Sequence, residues 1–319
     1  MYNEEQKKRF INDVAPESIK VIRVYNTLFE ATEKFEENWD ADICTRTKEE
    51  LSPVLEQITG LRVQSRWLRV GILKKYVNWC KINNIEGVCD DILTMEISGL
   101  YKVKTQLVGN PTQLDKYLDE IFEPVDDETV DIIYRCYFWL AYAGMQEADM
   151  MEVKCSDVNL SKMKVTYKGS EYEIYKEAYN AFKKCLELNM FTIKHPNYTK
   201  KAYIDRAGGD LLLRGVKGNV SVYSIRSRIS RATKQKIESG ETKVRLTHFR
   251  AWISGVFYRV RLLELAGMEP DFSGVVHQKM DGKEYKINPK SHVTLEHKKT
   301  RKEFEFLEDY QRWKVAFDV

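Results

Sequence analysis

The chain is poor in the residues that mark metal, disulfide and membrane chemistry. Its 319 residues hold five histidines and six cysteines (Cys44, Cys80, Cys89, Cys136, Cys155 and Cys185), far apart and with no C-x-x-C pair. That spacing argues against a zinc framework and reads as reduced core thiols. His292 and His297 stand five apart without carboxylate partners, so no metal or cofactor is expected. No apolar run approaches a membrane span, and the charged opening MYNEEQKKRF is not a signal peptide. Only seven prolines interrupt the chain, so long helices are permitted. What remains is 43% hydrophobic and 31% charged. Such a chain folds as a soluble protein of two domains with room for a real core.

The net charge of +3 is small, but the charges are laid out in blocks. From Arg62 to Lys81 there are six basic residues and no acid, and from Lys194 to Arg261 sixteen basic residues face four acids. From Asp115 to Asp131 the balance reverses, with eight acids and one lysine. Solvated helix faces would mix the signs; separated blocks predict a polyanionic partner.

Apolar periodicity predicts a mainly α protein with a small β-sheet, an α+β class. Residues 16–40 form a helix with Ile19, Ile22, Tyr25 or Asn26, Phe29 and Phe35 inward. A capping box at Thr47-Lys48-Glu49-Glu50 opens a second helix to Thr59. Val63 to Asn83 forms a third, burying Leu68, Ile72, Tyr76, Trp79 and Cys80, with Arg62, Arg66 and Arg69 along an outer stripe that has no acidic partner nearby. Val108-Gly109-Asn110-Pro111 breaks the pattern and divides the chain into domains 1–107 and 108–319. Helices follow at 113–122 and 129–143, the latter stopped by Gly144 in a left-handed cap. Alternation predicts a hairpin around Lys168-Gly169-Ser170-Glu171, then a helix at 176–190, loops with at most one short strand at 191–220, and a helix at 221–238. That last helix turns Val222, Ile225, Ile229 and Ala232 inward and Arg228, Arg231 and Lys234 outward. A further helix carries Trp252, Ile253, Val256, Phe257, Val260 and Leu263 inward, and Phe306, Tyr310, Trp313 and Phe317 form an apolar stripe expected to dock within its own domain.

Gly144-Met145-Gln146-Glu147-Ala148-Asp149-Met150-Met151-Glu152-Val153, ending in Asp157-Val158, resembles the first signature box of the tyrosine recombinases, G-L-R-x-x-E-L-x-x-L-x-x-x-D. Leu246-Thr247-His248-Phe249-Arg250-Ala251-Trp252 is similar to their second box, H-x-x-R-H. The resemblance implies a helical core-binding domain followed by a recombinase-like domain. It also implies a chemistry in which two arginines clamp a DNA phosphate, a lysine and histidines move protons, and a tyrosine attacks. Gln146 stands in the place of the first arginine, Arg250 matches the second, and Lys168 matches the hairpin lysine. Thr247 stands where the first histidine belongs, with His248 one step late; His277 and Tyr285 are the nearest pair for the final histidine and the nucleophile. Within the fold, the length, the N-terminal layout and the Ala141-Tyr142-Ala143-Gly144 stretch resemble the MrpR-type repressors of SPβ-like phages.

These resemblances imply a sequence-specific binder of double-stranded DNA that represses phage genes and maintains lysogeny. It would work in the cytoplasm of the bacterial host, at the nucleoid, with self-association on DNA left open. The expected DNA contacts are Arg62, Arg66, Arg69, Lys74, Lys75, Lys168, Arg226, Arg228, Arg231, Lys234, His248 and Arg250. Two alternatives stand beside this: an active recombinase working through a phosphotyrosine intermediate, and a scaffold with basic surfaces and no specific DNA site.

Overall fold

A high content of helix formers and few prolines give a mostly helical architecture with small antiparallel sheets. The computed structural model describes all residues except 16–17, 123–129, 196–197, 204–209, 216–217, 243 and 281–294. The first helices in chain order are α1 (Glu4–Val14), α2 (Ile19–Trp39), α3 (Lys48–Ile58), α4 (Val63–Ile82), α5 (Leu100–Gln106), α6 (Pro111–Ile121) and α7 (Val130–Tyr142). They continue as α8 (Glu147–Met150), α9 (Tyr179–Glu187), α10 (Val222–Glu238), α11 (His248–Leu265), α12 (Ser273–Met280) and α13 (Leu295–Phe317). Strands β1 (Val158–Asn159), β2 (Lys164–Tyr167) and β3 (Ser170–Glu173) form one meander; β4 (Met190–His195) pairs with β5 (Tyr198–Tyr203), and β6 (Arg214–Gly215) with β7 (Gly218–Asn219). No helix among the described residues is long and apolar enough to cross a membrane. All six cysteines are free thiols.

Contacts divide the chain into two compact units: Met1–Val103 with Phe272–Ala316, and Lys104–Asp271 with Phe317–Val319. The apolar stripe on α13, which the sequence placed in a domain 108–319, is thus grouped with the first unit. There Phe306 stacks on Phe272 with ring centroids 5.9 Å apart, and Tyr310 and Trp313 are fully buried.

The first unit is built on Phe10, Phe29 and Tyr76, whose rings meet edge to face at 5.0–5.9 Å. Beneath them lies a buried polar network. Lys7, with no exposed surface, donates to both oxygens of Glu36 at 2.6 Å, and Glu36 also accepts from Thr32 Oγ1 and the Ile43 amide. Gln6 donates to Tyr76, which donates to Asp42. Each buried charge here has its partners, so the network fixes helix register without leaving a group unsatisfied. It also rotates α2. Thr32 and Glu36 face inward with Tyr25, Leu28 and Phe29, and Ile19, expected inside, is 78% exposed. Leu68 on α4 is likewise exposed, because the inward position goes to Arg66. The capping box is present as read: Thr47 and Glu50 hold the first turn of α3.

In the second unit α7 is buried along almost its whole described length and packs on α11. The approach is closest at Gly255, where a Cβ would lie 1.8 Å from the carbonyl oxygen of Tyr142, so no other residue fits there. The β2–β3 turn has Lys168 at φ 49° and Gly169 at φ 79°, the paired positive values of a tight hairpin turn. Two expectations are corrected. Residues 191–220 hold two strand pairs instead of loops with at most one strand, since β4–β5 is held by a backbone ladder that needs no apolar alternation. The helix expected at 176–190 is a 3-10 turn followed by the shorter α9, and Met190 already belongs to β4. Leu263, expected inside α11, is half exposed near the end of that helix.

Candidate nucleic-acid interface

The arginine row of α4 is turned to structural use. Arg62 Nε lies 2.6 Å from Asp309 Oδ2 on α13, and its guanidinium sits 4.5 Å from the centre of the Phe306 ring. Asp309 also accepts from the Val63 amide and from Arg312. Arg66 is 8% exposed and donates to the Ser98 carbonyl at 3.1 Å; burial, with the neighbouring charge of Arg312, pulls its pKa below the usual value. Arg69 donates to the Ile58 carbonyl and is likewise lowered by burial. The expectation of a stripe without acidic partners is therefore corrected: the acids come from α13, far along the chain. Lys74 and the exposed Lys75 form no ion pair among the described residues.

The two boxes meet across α7 and α11. Trp252 Nε1 donates to the Gly144 carbonyl at 3.1 Å, and Arg259 Nη1 to the Tyr142 carbonyl at 2.6 Å. Gly144 adopts φ 106°, the left-handed stop read from the sequence. Gln146 caps the short α8 by position, and its Nε2 is buried without a hydrogen-bond partner among the described residues. Next to it Glu147 accepts from Arg226 Nε at 2.8 Å, from Arg226 Nη2 and from the Tyr137 hydroxyl. Burial works to raise the Glu147 carboxyl, but the bonds from Arg226 and Tyr137 and the charge of His248 outweigh it and leave its pKa lowered. Tyr137 is pushed up by burial and by that same carboxylate.

His248, one step late against the second box and expected to contact DNA, does not cap its helix. Thr247 takes the cap, accepting from the Arg250 amide, and His248 is the first helical residue, its ring 5.7 Å from that of Tyr137. Arg250 is half-buried, with its guanidinium donating back to the Arg245 carbonyl; burial and the neighbouring Arg245 lower its pKa. A cavity of about 380 Å³ lies here, lined by Tyr137, Arg226, Ile229, Thr247, His248 and Phe249 among others. The structure thus brings Arg226 and His248 together at one cavity, with Gln146 beside the Glu147 that holds Arg226. Of the two arginines lining it, Arg226 and Arg245, the first is already neutralised by a carboxylate.

Lys168 reaches Asp149 at 3.3 Å and Glu152 at 3.2 Å and lies over the Tyr167 ring. Its bond with Tyr167, then those with Glu152 and Asp149, hold the ammonium well above its ordinary pKa, so it stays charged and paired. On α10 the buried face is Ile225, Ile229 and Thr233. Lys234 pairs with Glu238 at 3.5 Å and Arg228 is half-buried, while Arg231 is exposed without an ion-pair partner among the described residues. His277 belongs to α12, but its side chain, like the whole of Tyr285, lies outside the described residues. Sequence reasoning gave no role to Glu147 or to Trp67 and Tyr223, which are 53% and 81% exposed. A carboxylate directly after the substituted arginine position was the available signal for the first.

Among solved structures the chain is similar to XerA recombinase (14% identity, 83% of this chain and 86% of that one, TM-score 0.37). It is also similar to the Tn1549 transposon integrase in complex with circular intermediate DNA (13%, 94% and 98%, TM-score 0.37) and to lambda integrase in a tetramer bound to a Holliday junction (13%, 81% and 70%, TM-score 0.32). Residues 1–82 match the family model described as MrpR, N-terminal core-binding domain. No curated relative matches the chain.

Proposed function

We propose that this chain binds double-stranded DNA at specific sequences and represses phage genes, on an integrase-type layout that has given up strand exchange. One observation carries the loss of chemistry. Where the resemblance places the first of two guanidiniums that converge on a phosphate, there is an amide followed by a carboxylate, and that carboxylate already occupies Arg226. A neutral amide cannot give the bidentate charge-assisted bonds of an arginine in the transition state. Losing comparable electrostatic stabilisation costs on the order of 100- to 1,000-fold in rate. DNA binding is supported by the match of residues 1–82 to a core-binding domain and by Lys74, Lys75 and Arg231, which form no ion pair among the described residues.

A nicked suicide duplex tests the chemistry. No covalent adduct is expected; a phosphotyrosine adduct that disappears in Tyr285→Phe would establish the recombinase alternative. Selection of bound fragments from a genomic pool tests specificity. A recurrent motif is expected, and a pool with no enriched sequence would instead fit a scaffold.

A further inference from the structure

The cavity between α10 and the start of α11 runs from a buried apolar floor to an exposed cationic rim. Ile229, Thr233 and Leu246 form the floor, none more than 6% exposed. The fully buried ring of Tyr137 and the half-buried ring of Phe249 wall it, and Ser230 and Arg245 stand exposed at the rim. Its volume of about 380 Å³ is that of a small-ligand pocket.

Two polar groups here lack partners. Thr233 Oγ1 is buried at the floor with no hydrogen bond of normal geometry. The neighbouring Tyr117 hydroxyl is already committed, donating to the Val244 carbonyl at 2.7 Å and accepting from the Leu246 amide at 2.8 Å. A buried hydroxyl left in this way costs free energy that a bound acceptor or donor would recover. At the rim, the Arg245 guanidinium forms no ion pair and no hydrogen bond among the described residues, in contrast to Arg226 with its Glu147. Gln146, Lys168 and Arg250, the positions matched to phosphate-handling residues of the recombinase boxes, are not among the residues that line the cavity. A duplex phosphate is strongly hydrated and gains nothing from an apolar floor. An amphipathic anion gains from the floor and from the rim together.

We propose that this cavity binds a small free molecule with a flat apolar body and a carboxylate at one end. The body packs on Ile229 and Leu246 against the Tyr137 and Phe249 rings, and a polar atom at its inner end meets Thr233 Oγ1. The carboxylate pairs with Arg245, where the Ser230 hydroxyl donates a second hydrogen bond. The inference stands apart from the reading of the chain as a DNA binder, since it uses only residues outside the expected DNA contacts.

The test uses the full chain with anilinonaphthalene sulfonate, a fluorescent aromatic anion, and naphthoate as its competitor. Saturable binding at one site per chain is expected, displaced by naphthoate and not by its uncharged alcohol analogue. Arg245→Glu and Ser230→Trp change exposed positions, so their thermal midpoints should stay near wild type. Both should weaken naphthoate binding at least about tenfold, the first by removing a charge-assisted hydrogen bond and the second by filling the mouth. A hydroxynaphthoate with its hydroxyl opposite the carboxylate should bind more tightly than naphthoate, and Thr233→Val should erase that gain. Absence of saturable binding overturns the proposal, as does binding that Arg245→Glu and Ser230→Trp leave unchanged. Displacement of the dye by inorganic phosphate at matched ionic strength, but not by naphthoate, assigns the cavity to a phosphate and also overturns it.

Discussion

α4 and α10 look alike as sequence, two helices with basic residues at helical spacing, and the fold uses them in opposite ways. On α4 the arginines are spent inside the first unit: Arg62 on Asp309, Arg66 on the Ser98 carbonyl and Arg69 on the Ile58 carbonyl. On α10 the buried side is Ile225, Ile229 and Thr233; Arg226 near its start is held by Glu147 of α8, but further along Arg231 is left exposed. The difference lies in the neighbours. α4 has the carboxylates of α13 against it, whereas the acid nearest Lys234 is Glu238 on its own helix. A basic run therefore tells how many cations a segment has, and the packing around it decides how many are available to a partner.

Four substitutions would break or sharpen this contrast between residues used for folding and residues used for binding. The largest effect is expected at Gly144, where φ is 106° and a Cβ would sit 2.7 Å from Arg259 Nη2. Gly144→Val should cost about 3–4 kcal/mol, combining backbone strain with crowding, and an unchanged thermal midpoint would refute that account. Asp309→Ala comes next. It leaves Arg312 without its counter-charge and Arg62 with only Glu305, 3.9 Å away, so chemical denaturation should show a loss of about 3 kcal/mol, at the lower end for a buried pair because Arg62 is a quarter exposed.

Arg66→Ala should lose about 2 kcal/mol of stability, the cost of orphaning a buried acceptor together with lost packing. Its salt slope for duplex binding should stay at the wild-type value, and a shallower slope would return Arg66 to the DNA-contacting set. Arg231→Ala is the mirror case. Its stability should stay within about 0.5 kcal/mol of wild type, as surface substitutions do. Its binding should lose about 0.9 in salt slope if the residue meets a phosphate. If Arg66 and Arg231 behaved alike in both measurements, the distinction drawn between the two helices would be wrong.

Much of the second unit was legible in the sequence. The apolar face of α7, the glycine stop and the hairpin around Lys168 each rest on local signals, and each is found within a residue or two of its expected place. The site was legible only as positions. Gln146 and Arg250 could be set against a motif, but the pairing of Glu147 with Arg226 joins residues 79 apart in sequence, and no local pattern announces it. The β4–β5 ladder was missed because it depends on backbone pairing rather than on apolar alternation.

By itself, the sequence determined the helical class, the caps and stops, the blocks of charge and the substitution at Gln146. These follow from side-chain size, backbone freedom and ionisation, which each residue carries with it. Only the tertiary structure decided that α13 would neutralise Arg62, that Lys7 and Glu36 would pair out of contact with water, and that α4 would leave Trp67 exposed. Those outcomes depend on which distant groups are brought within a few ångströms, where Coulomb attraction and desolvation compete, and that competition exists only once the chain has folded.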